Sequence, residues 1–127
     1  MEYKTNLIVL LMLTMLFFNS CATNPVSGNP DFVTISEQQE ISIGVSYHEK
    51  IVSENKVLED KELNDYIQKL GNEIARKSHR PNLKWTFTII DSPTFNAFAT
   101  PGGYVYMYRG MLNYFNSEAE LVGVLGH

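Results

Sequence analysis

The sequence predicts an α+β fold, on three observations. Two stretches before residue 80 repeat apolar residues at helical spacing behind capping side chains. After Pro81 the apolar period changes from helical to two. A third capped, apolar stretch then runs to His127.

At 127 residues the chain allows one domain at most. Its single Cys excludes an internal disulfide framework. Fourteen acidic residues against ten basic ones, with no Lys/Arg cluster, argue against a nucleic-acid partner. An aromatic share of 12% and a charged share of 19% argue against disorder.

Residues 1–20 read as a signal peptide. Leu7 to Phe18 is the apolar run LIVLLMLTMLFF, broken only by Thr14. At 1.5 Å rise per residue it makes roughly 18 Å of helix, short of a ~30 Å hydrocarbon core. Lys4 gives a weak positive start, partly cancelled by Glu2, and Asn19 and Ser20 precede Cys21. A lone Cys in this place resembles the lipidated cysteine of bacterial lipoproteins, although Phe18 and Asn19 depart from the usual residues there. The plainer alternative is a simple signal peptide with an incidental Cys. Residues 21–35, with two Pro, a Gly and several turn formers, are expected to be an extended tether. Residues 36–127 would be the folded part.

That part opens on a capping box, Ser36 to Gln39, and a helix from Glu37 to about Ser53 with Ile41, Val45 and Ile51 facing inward. A second helix carries Leu63, Ile67, Leu70 and Ile74 at i, i+4, i+7 and i+11, with Asp60 as N-cap and Pro81 as its stop. His48 and His79 read as surface residues, with no second His at ligand spacing from either. Trp85 to Ile90 alternates as a half-buried strand does, with Trp85 a core anchor. Asn96 to Ala99 is a short strand candidate. Pro101, Gly102 and Gly103 form a turn, and Tyr104 to Tyr108 is the return strand of a hairpin. The Tyr104, Tyr106 and Tyr108 stripe reads as an exposed strand face. The last helix starts at a second box, Ser117 to Glu120, with Leu121, Val122, Val124 and Leu125 apolar and His127 at its end. Ending on an apolar helical face, the sequence is expected to be part of a longer protein.

Taken alone, His127 is an ordinary histidine, and Asn96, Ala97, Phe98 and Ala99 are ordinary hairpin core. The combined order changes this. Cys21-Ala22-Thr23-Asn24-Pro25 with the Ser36 helix, Asn96-Ala97-Phe98-Ala99-Thr100-Pro101-Gly102-Gly103 with Tyr104 to Met111, and Asn116 to His127 together resemble the zinc metallopeptidases of peptidase family M48, in their lipoprotein form. The resemblance implies a zincin-like metallopeptidase domain, represented by its N-terminal part: helices, a small antiparallel sheet with an edge hairpin, and the start of the active-site helix. It implies that His127 is the first zinc ligand of an H-E-x-x-H motif, in which two imidazoles one helical turn apart grip the metal and the Glu acts as general base. No catalytic residue would then lie within the chain, and the chain alone is expected to be inactive. Asn96, Ala97, Phe98 and Ala99 would be the strand that docks substrate by main-chain pairing. Cys21 would carry the lipid, anchoring an envelope endopeptidase at a membrane surface facing the periplasm or cell exterior, with polypeptide substrates. A non-catalytic envelope lipoprotein that binds extended polypeptide through the same edge strand is the alternative.

Overall fold

The computed structural model describes residues 21–23, 30–32 and 35–127. The signal peptide expected over residues 1–20, and residues 24–29 and 33–34 of the expected tether, lie outside the described residues. The chain divides into two units, residues 1–34 and 35–127. In the first, β1 (Cys21–Thr23) and β2 (Pro30–Phe32) pair antiparallel, with Cys21 opposite Phe32.

The second unit begins with α1 (Glu37–Glu54). Ser36 caps it as the sequence indicates, its hydroxyl accepting the Gln39 N–H while the Gln39 side chain accepts the Ser36 N–H. The buried face differs from the expected one. Val45 is 40% exposed, and the helix meets the sheet through Gly44, which is buried, and half-buried Ile41, His48 and Ile51. The reason is a close approach: a Cβ on Gly44 would stand 2.2 Å from the Pro101 carbonyl oxygen. The helix therefore lies against the turn on its one bare residue, and Val45 rotates outward.

The next helix, α2 (Lys61–Ala75), follows its predicted spacing, with the Asp60 carboxylate accepting the Leu63 N–H. Three strands follow, β3 (Thr86–Ile90), β4 (Ala97–Thr100) and β5 (Tyr104–Tyr108), in the order β3-β5-β4. The hairpin β4–β5 is antiparallel, as expected, and turns through Gly102 and Gly103, whose φ of 77° and 87° suit glycine alone. The pairing of β3 with β5 is parallel, so the sheet is mixed and not antiparallel throughout. The passage over residues 91–96 carries the chain beyond the place of β5, and the turn then returns β5 into the gap, running with β3. That passage is clamped by Arg109 Nε donating to Asp91 Oδ1 at 2.7 Å and by the Gly110 N–H donating to the Ser92 carbonyl.

A single-turn helix, α3 (Arg109–Leu112), continues directly from β5. The last helix is α4 (Glu118–Gly126), capped by Ser117. Its box is only half formed, because the Glu120 carboxylate takes the Asn116 N–H and not that of Ser117. Ile67 and Leu70 of α2, Phe87 and Ile89 of β3, Met107 of β5, Met111 of α3 and Leu121 of α4 make the core on one face of the sheet. The opposite face is covered by α1. Tyr106 is fully buried there, its hydroxyl 2.9 Å from His48 Nδ1, and the Tyr104 ring stacks on the imidazole at 4.6 Å. The tyrosine stripe is thus no exposed face; the helix that covers it comes from sixty residues upstream, out of reach of a local pattern. Burial raises the Tyr106 phenol above its ordinary pKa. Among the described residues, no helix is long and apolar enough to cross a membrane.

Candidate functional site

A sheet of three strands has two outer edges, and this one closes the first. Along β3, the Gln68 amide donates to the Trp85 carbonyl at 3.1 Å and its oxygen accepts the Phe87 N–H at 3.0 Å. Further along, the Leu58 N–H donates to the Ile89 carbonyl and the Asp91 N–H to the Lys56 carbonyl. One side chain and one short segment thus occupy the edge where a fourth strand would pair.

The second edge is β4, and among the described residues no segment pairs with it, so it is open there. The Tyr108 N–H donates to the Asn96 carbonyl at 2.9 Å. Antiparallel pairing alternates, so Phe98 opposite Tyr106 and Thr100 opposite Tyr104 also bond to β5. Ala97 and Ala99 then point their N–H and C=O groups away from the sheet. Their methyl side chains sit on the face shared with Val105 and Met107, whereas Phe98 turns to the other face and stacks on Tyr106 at 4.9 Å.

A groove of about 770 Å³ runs beside this edge. Its lining joins Asn96 to Ala99 with Val124, Leu125 and His127 at the α4 end, and includes Trp85 and Met111. The structure therefore brings the residues singled out in the sequence, Asn96, Ala97, Phe98, Ala99 and His127, into one groove. Cys21 belongs to the other unit. Trp85 is half-buried and lines the groove, its indole N–H donating to the Arg80 carbonyl at 3.2 Å, so its role exceeds that of core anchor. His48 reaches the groove from neither side and serves the α1 packing. His79 is exposed, as expected.

Two features of this frame are silent in the sequence. Gln68 gives no signal, being one polar residue on a helix. Glu40 sits on α1, accepts two guanidinium bonds from Arg80 at 2.8 and 2.9 Å, and accepts the Gly102 N–H at 3.0 Å. The Arg80 guanidinium, and then the Gly102 amide, hold its carboxyl below the usual range against the opposing effect of burial. The turn feeding β4 and β5 is thereby bolted to α1.

Among the described residues, no three His, Cys, Asp or Glu side chains converge in a way that could hold a metal ion. His127 is exposed at the end of α4 and offers one imidazole. A catalytic zinc takes three protein ligands, so the donor set of this chain does not fit the metal by itself.

The model of peptidase family M48 matches residues 61–127. The chain is similar to the putative beta-barrel assembly-enhancing protease of Vibrio cholerae, with 33% identity over 74% of this chain and 19% of that protein. It is similar to the mitochondrial metalloendopeptidase OMA1 of Arabidopsis thaliana, with 34% identity over 58% of this chain and 15% of that one. The beta-barrel assembly-enhancing protease of Escherichia coli K12 shares 27% identity over 99% of this chain and 27% of its own length. The chain thus spans between about a seventh and about a quarter of these relatives.

Proposed function

The chain belongs to peptidase family M48, and from that premise we propose that it is the substrate-docking portion of a zinc metalloendopeptidase acting on proteins of the cell envelope. One observation carries this reading: a single groove joins the open edge of β4 to His127. The main-chain groups of Ala97 and Ala99 hold an extended polypeptide as an added strand. Pairing through the main chain accepts many sequences, as protein quality control requires. The apolar walls exclude water from the paired strand, and His127 contributes the first zinc ligand of an H-E-x-x-H motif. The relatives' names, two of them assembly-enhancing proteases of bacteria, support an envelope role. Lipidation of Cys21 behind a signal peptide would tether the protein to a membrane surface.

The test uses the full-length protein. His127→Ala is expected to abolish its zinc content, normally one per chain, and its cleavage of unfolded polypeptide. Full zinc loading with undiminished cleavage would overturn the assignment. Holding one imidazole of the set, the 127-residue chain is expected to bind no zinc at one per chain and to cleave nothing. The second reading is a non-catalytic envelope lipoprotein that binds extended polypeptide through the same edge strand. It predicts full-length protein that binds peptide, holds no zinc and cleaves nothing.

A further inference from the structure

Two large exposed aromatic side chains meet beside the groove, Phe95 in its lining and Tyr114 against Phe95, and neither belongs to the core. Phe95 is 61% exposed and Tyr114 66% exposed, and their rings meet edge to face, 4.9 Å between centroids and 80° between planes. Both are held in place. Phe95 lies in the clamped passage that Gly110 presses against, where a Cβ on Gly110 would stand 2.1 Å from the Pro93 carbonyl oxygen, and Ser92 and Thr94 bond side chain to side chain at 3.0 Å. The Tyr114 N–H donates to the Met111 carbonyl at 3.0 Å.

Their position relates to β4 by strand geometry. Phe95 lines the groove, as Ala97 and Ala99 do, and precedes Ala97 by two residues. A polypeptide paired with Ala97 and Ala99 advances ~3.3 Å per residue, so its side chains on the groove side recur about every 7 Å. In that register one of them would fall beside Ala97 and the next beside Phe95, whose ring carries that of Tyr114 edge to face. The two alanines leave room and little contact; the aromatic pair offers a large preformed surface. Among the described residues, no Asp, Glu, Lys or Arg lines the groove.

We propose that Phe95 and Tyr114 form a side-chain subsite that selects an aromatic or large aliphatic residue from a polypeptide lying along β4. This rests on the docking role given above to β4. The main chain of β4 binds without regard to sequence, and the pair supplies a preference.

The test is fluorescence anisotropy on the full 127-residue chain with two labelled nine-residue peptides, a Ser/Thr host with Phe or Ser at the central position. Wild type is expected to bind the Phe peptide about tenfold more tightly. In the double variant Phe95→Ala with Tyr114→Ala the ratio is expected to fall within about twofold, with the Ser peptide bound as before, whereas Phe95→Leu keeps most of the preference. Ala97→Pro is expected to weaken both peptides equally. An undiminished ratio in the double variant, with Ala97→Pro still weakening both peptides, would overturn the subsite and leave the docking role standing. Wild type that binds neither peptide would overturn both. A wild-type dimer that the double variant dissolves in sedimentation, its peptide ratio unchanged, would overturn the subsite in favour of a contact between two copies.

Discussion

The Glu40 carboxylate accepts the Gly102 amide N–H at 3.0 Å across sixty-two positions of sequence. Through this bond and the Arg80 pair, α1 fixes the turn from which β4 and β5 take their register. The edge strand is therefore held by an ion pair whose members do not line the groove.

Glu40→Gln is expected to lower stability by about 1–2 kcal/mol at pH 7, since an acceptor remains but the charge-assisted bonds do not. The folded-state pKa of Glu40 lies below the ordinary value of 4.5. Its contribution is thus complete above that value and is lost as pH falls through the folded-state pKa. Urea unfolding of both proteins should show a gap that is constant from pH 7 to 5 and closes on further acidification. A gap unaltered at pH 3 would contradict the role of the charge.

Two glycines on helices should respond to alanine with opposite signs. Gly44→Ala puts a methyl against the Pro101 carbonyl and is expected to cost about 2–3 kcal/mol. Gly123 has nothing within 4 Å of its would-be Cβ, so Gly123→Ala in α4 should gain up to about 1 kcal/mol of helix propensity. Thermal unfolding of the two variants measures both.

Gln68→Ala would strip the cover from the Trp85 carbonyl and the Phe87 N–H. The expected loss is about 1–3 kcal/mol, with faster amide exchange at Phe87. Gln68→Glu keeps the acceptor for Phe87 but sets a carboxylate against the Trp85 carbonyl, and should destabilise as well.

Much of this framework is legible in the sequence where the determinants are local. Ser36 and Asp60 announce their helices, Leu63 to Ile74 keep a helical period, and Gly102 and Gly103 mark the hairpin between Ala97 and Tyr108. The site residues Asn96 to Ala99 and His127 stand out through their combined order along the chain, and the structure sets them along one groove. What escapes is long-range. The parallel pairing of β3 with β5 depends on where residues 91–96 carry the chain. The inward face of α1 is decided by the Pro101 carbonyl, which turns Val45 out and His48 in. The closure of the β3 edge by Gln68 exists only once α2 has packed.

Amide exchange by NMR on the 127-residue chain, with and without an extended peptide, tests the open edge most directly. The Ala97 and Ala99 amides should exchange quickly in the free chain and become protected on peptide binding, while Phe98 and Thr100, already bonded to β5, stay as they were. Ala97 and Ala99 protected in the free chain, or indifferent to bound peptide, would contradict β4 as the docking strand.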